Sequence, residues 1–198
     1  MATTITFENE FEQPVTAQQM QLLDSYHKVV TVDGLVKKKE EYANNQLTSL
    51  LYYLDAAETE AQAVSAVMAA YHPAEGFEIR KREAFGSLIK ETNKAYSTSG
   101  VYQDYVETIL LDNQGRQVYQ KTESTHNTVT TVEVKKFYYD TAGKNFMLLY
   151  DNTNALLGMK GDDPPFVADN DYFIPVQDFP LYFPNFLTAN PYYSNANP

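Results

Sequence analysis

The alternation of apolar and polar positions between Val101 and Asp151 predicts two similar β-hairpins. The first places strands at 105–111 and 117–121 around a turn at 112–116, and the second places strands at 131–139 and 145–150 around a turn at 140–144. Each turn opens with an aspartate, which can accept hydrogen bonds from its own backbone, and contains a glycine suited to the left-handed conformation. This stretch is therefore predicted to be a four-stranded antiparallel meander.

The N-terminal third predicts further strands. Thr16 and Gln19 have the spacing of a capping box, which predicts a short helix to about Asp24. An apolar strand at 26–32 then leads through the turn residues Asp33 and Gly34 to a charged strand at 35–42. A second tight turn at Asn44 and Asn45 precedes a returning strand at 47–54, so this part also predicts antiparallel pairing.

One helix stands out in the sequence. Asp55 and Glu58 have capping-box spacing, and a narrow apolar stripe follows, ending near His72 and Pro73. The stripe consists of Ala57, Ala61, Val64, Met68 and Tyr71. Because these side chains share one face, the helix is expected to pack on a sheet. The next segment is ambiguous: residues 77–82 alternate like a strand, whereas 87–96 fit either a strand or a short helix.

The composition changes after Asp151. The last part of the chain alternates prolines with large aromatic residues, a pattern that opposes both long helices and central strands. Two interpretations remain open: the segment wraps the domain in extended form and buries its rings, or it presents them to another chain. The predicted fold is α+β, a twisted antiparallel β-meander sheet of about six to eight strands. One main helix packs on a face, and an extended Pro/aromatic-rich C-terminal wrap (152–198) follows the domain formed by 1–151.

The charge balance limits the partners. The chain has 15 Lys and Arg against 26 Asp and Glu, which gives a net charge of -11. Nucleic acids and anionic membranes attract basic surfaces, so neither is a predicted partner. The excess of acidic residues indicates either a surface that keeps the protein soluble or a surface that binds a basic protein. The N-terminal segment has no signal-peptide pattern, and the chain has no apolar run of membrane-spanning length, so a cytoplasmic location is expected.

The sequence predicts no catalytic, metal or cofactor site. There are no cysteines, the three histidines do not have metal-ligand spacing, and phosphate-binding glycine loops are absent. Asp162, Asp163, Asp169 and Asp171 alternate like calcium ligands, but the central glycine and distal glutamate of an EF-hand loop are missing. An acidic, turn-rich loop is the favoured interpretation.

Two fragments resemble known repeat families. Residues 33–47, with a charged strand through Tyr42 and a turn at Asn44 and Asn45, resemble one unit of the MORN-like repeats in bacterial antitoxin and immunity proteins of the YwqK type. Asn45 stands where that pattern has glycine. Residues 111–116 and 139–144 are similar to YD-type hairpins of Rhs-like proteins. The first resemblance implies an immunity or antitoxin role with a basic, toxin-like partner.

These observations predict a non-catalytic protein-interaction module. One alternative is a structural component of a phage or secretion-type assembly. A second alternative is a small-ligand binder or enzyme with a pocket between helix and sheet. The candidate partner-binding residues are exposed acids and aromatics in the three segments discussed above. They are Glu40, Glu41, Tyr42, Asp162, Asp163, Asp169, Asp171, Tyr182 and Phe183.

Overall fold

The computed structural model describes residues 2–140, 145–161 and 173–198. Most of these residues lie in strands, and thirteen strands form one mixed sheet. The strands are β1 (Thr3–Glu8), β2 (Pro14–Val15), β3 (Ser25–Val32), β4 (Leu35–Ala43), β5 (Gln46–Tyr53), β6 (Gly76–Phe85), β7 (Leu88–Tyr96), β8 (Tyr102–Leu111), β9 (Gln117–His126), β10 (Val129–Tyr139), β11 (Asn145–Tyr150), β12 (Leu156–Lys160) and β13 (Phe173–Pro175).

The prediction of an α+β fold with one main helix is wrong. The strand order is β13-β12-β11-β10-β9-β8-β7-β6-β5-β4-β3-β1-β2, and β5 pairs with β6 in parallel. The ambiguous segment after Gly76 forms two long strands, and short strands extend the sheet at both ends, so the strand count exceeds the predicted range. The predicted antiparallel meander does form from β8 to β11.

Helices are short throughout the described residues. They are α1 (Ala17–Met20), α2 (Glu60–Ala70), α3 (Phe179–Tyr182) and α4 (Phe186–Ala189). α1 has the predicted capping box, whereas α2 begins at a different one, formed by Thr59 and Gln62. In the described part of the chain, no helix has the length and hydrophobicity needed to span a bilayer.

The C-terminal segment is not the extended wrap that the sequence predicts. From Val176 onward it forms α3, α4 and two 3-10 turns, Val176–Asp178 and Pro191–Ser194. Pro180 lies in the first turn of α3, and Pro191 begins the second 3-10 turn. At both positions the fixed φ suits a helix and the missing N–H is not needed. Proline therefore limits the length of these helices without preventing them.

Tight turns join many of the strands. Asp33 and Gly34 both have positive φ, as do Asn44 and Asn45, so both predicted two-residue turns are confirmed. In the first predicted hairpin turn the Asp112 carboxylate accepts from the backbone N–H groups of Gln114 and Arg116, each at 2.9 Å. Most of the second, residues 141–144, lies outside the described residues.

The chain divides into two compact units. Unit 1 comprises Met1–Glu83 and Glu91–Val106, and unit 2 comprises Ala84–Lys90 and Glu107–Pro198. In unit 1, α2 packs on one face of β5 to β7 through its small side chains. The buried residues of this core are Leu50, Ala63, Val67, Phe77, Ile79 and Tyr96.

The core of unit 2 lies between one face of its strands and the C-terminal segment. Leu148, Met159 and Ile174 face one another on β11, β12 and β13, and Phe179 of α3 joins them. The Tyr150 hydroxyl donates to the carbonyl oxygen of Tyr193 at 2.9 Å. The aromatic rings of the segment thus complete a hydrophobic core, consistent with the favourable free energy of burying large apolar side chains.

Candidate functional site

Glu40 lies in an internal ion-pair cluster on β4. Its carboxylate is 1% exposed and accepts from Lys28 Nζ at 2.9 Å and from the Tyr42 hydroxyl at 2.8 Å. Lys38 Nζ lies 3.6 Å from its second oxygen. Burial alone would raise the pKa of Glu40, but these hydrogen bonds and charges hold it below its ordinary value. Glu40 is thus engaged within the fold.

The neighbours of Glu40 have different environments because side chains alternate along a strand. Tyr42 shares the face of Glu40, is half-buried, and stacks on Tyr26 with ring centroids 5.0 Å apart. Burial and the hydrogen bond to Glu40 raise the pKa of its phenol. Glu41 points to the opposite face and is exposed. Of these three predicted residues, Glu41 offers an accessible charge.

The other predicted residues lie in unit 2 or outside the described residues. Tyr182 of α3 is 49% exposed, and Leu181 beside it is 79% exposed. Phe183 is half-buried, with its ring 6.0 Å from Phe179 and 6.2 Å from Phe186. Asp162, Asp163, Asp169 and Asp171 fall outside the described residues.

The basic side chains of unit 1 are all paired with carboxylates. Each has a carboxylate oxygen within 3.6 Å of a side-chain nitrogen. They are Lys28, Lys37, Lys38, Lys39, Arg80, Lys81, Arg82 and Lys94. Because unit 1 contains more acids than bases, its uncompensated charge is negative.

Most of the uncompensated acids of unit 1 lie at one end of its sheet. Five exposed acids that have no ion pair among the described residues lie there: Glu10, Asp24, Glu41, Glu75 and Asp104. β3, β5, β6 and β8 begin at this end, whereas β1, β4 and β7 finish there. Each acid lies within two residues of such a strand end. We call these five residues the acidic end. A sixth such acid, Asp33, lies in the turn between β3 and β4 at the opposite end, where it accepts from the Ala2 N–H.

A shallow groove opens beside the acidic end. Its volume is about 360 Å³, and Glu75, Glu78, Tyr96 and Gln103 contribute to its lining. Glu78 accepts from the Asn93 amide at 2.5 Å, while Asn93 Oδ1 is buried and has no hydrogen-bond partner among the described residues. The groove is concave and negatively charged, which suits a basic side chain from another molecule.

A larger groove lies at the opposite end of the unit 1 sheet. It has a volume of about 880 Å³, with Val36 and Leu54 among its apolar residues. Lys37 Nζ on its lining lies 2.9 Å from Asp55 Oδ2 and 3.0 Å from Glu58 Oε2. The charge of Lys37 is thus neutralised by two carboxylates, whereas Asp33, also on the lining, has no ion pair among the described residues.

The histidines are dispersed. His27 lies on β3, His72 follows α2, and His126 ends β9. Within residues 2–140, 145–161 and 173–198, His, Asp and Glu side chains form no group of three that could hold a metal ion.

Lys136 is a fully buried cation in unit 2. Its Nζ donates to the carbonyl oxygen of Tyr192 at 2.5 Å and lies 3.6 Å from the centroid of the Tyr192 ring. Burial lowers the pKa of Lys136 to about 8. The side chain therefore ties the C-terminal segment to β10.

The first half of β10 forms an open sheet edge. All of residues 129–133 are exposed and pair with β9, whereas pairing with β11 begins only at Val134, opposite Tyr150. Asn127 and Thr128, both with positive φ, form the two-residue turn that fixes this register. Thr130 and Val132 therefore direct their backbone N–H and C=O groups away from β9. Among the described residues, no strand lies opposite them.

Comparisons of the chain with protein-family models, with curated proteins and with solved structures find no match. The resemblance to MORN-like and YD-type repeats stays a prediction, and the function must be argued from the residues themselves.

Sequence reasoning found Glu41 but missed the rest of the acidic end and the open edge of β10. The other four acids are far apart in the chain and lie at one end of the sheet only because their strands begin or finish there. The edge was missed because residues 124–128 lack a glycine and look like a polar connection, whereas they continue β9 into a two-residue turn. The asparagine at position 127 was the available signal.

Proposed function

We propose that this protein is a non-catalytic protein-interaction module that binds a basic protein at the acidic end of unit 1. The observation that carries this proposal is the position of Glu10, Asp24, Glu41, Glu75 and Asp104, exposed together while every basic side chain of unit 1 is already paired. Such a local field attracts a basic partner and speeds its association. The adjoining groove gives the partner a concave site.

The biological role follows from combining this surface with the sequence. A net charge of -11 and a strand pattern resembling MORN-like repeats favour an immunity- or antitoxin-like protein that occupies the basic surface of a toxin-like partner. Inhibition of this kind needs shape and charge complementarity, and it needs no reacting group.

Charge reversal at two acidic-end residues is expected to abolish partner binding. In the variant Glu41→Lys/Glu75→Lys both substituted side chains are exposed, so the fold should persist while the local field changes sign. Affinity capture from the native host at moderate salt, with quantitative mass spectrometry, should show at least a tenfold loss of a stoichiometric basic protein, about the effect of 1.4 kcal/mol.

The matched control is Asp55→Lys/Glu83→Lys, which changes the net charge equally at the opposite end of the unit 1 sheet. It replaces two surface residues whose ion pairs, with Lys37 and Lys81, contribute little to stability. We expect it to retain the partner. Equal losses in both variants would show that only net charge matters, and full retention by the acidic-end variant would refute the proposal.

A second candidate function, a component of a larger assembly, is favoured by the exposed apolar pair on α3. Leu181 and Tyr182 are 79% and 49% exposed, whereas Phe179, Phe183, Phe186 and Tyr193 of the same segment pack in the core of unit 2. If a neighbouring subunit covers them, Leu181→Ser/Tyr182→Ser should remove association without changing the circular dichroism spectrum. Deletion of the whole segment is unsuitable, because Phe179 and Ala196 belong to the core. Unchanged association in this variant would exclude the α3 surface.

A further inference from the structure

The open edge of β10, residues 129–133, is suited to pairing with another strand. Four of its five residues are β-branched valine or threonine, which favour extended backbone. Val129 is 66% exposed and Val132 is 37% exposed. Exposed edges of this kind accept added strands unless prolines, inward-pointing charges or covering loops protect them. Residues 129–133 contain no proline, and Glu133 is their one charged residue.

The edge is complementary to itself. In an antiparallel arrangement with a two-fold axis at Thr131, Thr130 of one copy lies opposite Val132 of the other. These two residues direct their N–H and C=O groups outward. Each Thr130–Val132 pair across the junction can therefore form backbone hydrogen bonds. Between these two pairs, Thr131 of one copy lies opposite Thr131 of the other copy. This central pair is not hydrogen-bonded, and in such pairs the side chains approach closely. The hydrogen-bonding pattern and the two-fold register are therefore compatible.

The charges also fit a second copy. Glu133 lies opposite Val129 in this arrangement, so like charges do not face each other across the junction. Glu133 and Glu123 on this hairpin are each 3.1 Å from a lysine nitrogen, of Lys135 and Lys121 respectively. The edge therefore lacks the excess negative charge that would select a basic peptide.

We infer that two copies of this chain associate through the open edges of β10, which form a continuous antiparallel sheet across a two-fold axis. Residues 129–133 give a short junction, so the dimer belongs to the weak, small-interface class. Each copy carries a charge of -11, and salt screens the resulting repulsion. Dimerisation thus strengthens with ionic strength, whereas binding of a basic protein at the acidic end weakens.

The test is sedimentation equilibrium of the full chain up to a concentration on the order of 1 mM. Thr130→Pro removes one outward N–H and leaves the ladder to β9 intact, because proline is compatible with a free strand edge. We expect the wild type to dimerise, more strongly at high salt, and the variant to lose at least tenfold in association. The control Thr131→Val changes the side chain at the axis but keeps every backbone donor, and should still dimerise.

Amide hydrogen exchange provides a second measurement that does not depend on a variant. Protection of the Thr130 and Val132 amides should rise with protein concentration, while those of Thr131 and Glu133, bonded to β9, stay constant. A monomer at every concentration overturns the inference, as does a dimer that Thr130→Pro leaves unchanged. A foreign protein that protects Thr130 and Val132 while the pure chain stays monomeric also overturns it. Because the acidic end is tested separately, each proposal can fail without the other.

Discussion

Replacing Glu40 with alanine is expected to lower the free energy of unfolding by about 3 kcal/mol, the cost of removing one partner from a buried ion pair. The substitution leaves Lys28 and Lys38 without their shared carboxylate and removes the acceptor of the Tyr42 hydroxyl. Lys28 is 30% exposed and can recover some hydration, so the effect should fall at the lower end of the range for such sites. Urea denaturation, monitored by far-ultraviolet circular dichroism, measures this loss in the free energy of unfolding.

Glu41→Ala is the matched control, since it removes the same group from the next position on β4. Its side chain is exposed, and the change in stability should stay within about 0.5 kcal/mol. A loss below about 1 kcal/mol for Glu40→Ala would contradict the assignment of a buried structural ion pair.

The stabilisation by Glu40 should also depend on pH. The pKa of this carboxyl is lowered in the fold from its ordinary value of 4.5. Near and below that value the unfolded chain therefore binds more protons than the folded protein, so stability falls as the pH is lowered. The difference between wild type and Glu40→Gln should be constant above about pH 5.5 and shrink as the carboxylate becomes protonated in the fold.

Lys136→Met is expected to remove a rise in stability that the wild type shows at alkaline pH. The pKa of Lys136 is lowered from 10.5 to about 8 by burial. Between these values the folded protein has released the proton and the unfolded chain retains it, so stability increases with pH. From pH 7.5 to 9.5 the wild type should gain about 2 kcal/mol relative to the variant, since each unit of pKa shift corresponds to about 1.4 kcal/mol.

Few other groups of the protein titrate between pH 7.5 and 9.5. The chain has no cysteine, whose thiol would titrate in this range. Any contribution from tyrosine ionisation in the unfolded chain is shared by both proteins and cancels in the comparison. Lys135→Met on the same strand, where Lys135 pairs with Glu133, serves as the control and should retain the rise. Parallel pH profiles for wild type and Lys136→Met would show that Lys136 is not desolvated in the fold.

The contrast between Glu40 and Lys136 shows where sequence reasoning reaches its limit. Both lie in charged stretches of strands, where a solvated face is the usual expectation. Glu40 is buried because Lys28 and Lys38 on the same face share its charge. Lys136 is buried because a segment more than fifty residues later in the chain covers it. Neither fact is visible in the local pattern of charges.

The sequence by itself determined the local structure wherever one short segment contains the whole cause. It specified the Thr16 cap, the Asp33 and Asn44 turns and the meander from β8 to β11, because these depend on neighbouring residues and on strand alternation. Only the tertiary structure decided the mixed thirteen-stranded sheet, the helical C-terminal segment, the acidic end and the open edge of β10. These features depend on which distant segments lie side by side, and a residue's charge or exposure follows from its neighbours in space rather than from its neighbours in the chain.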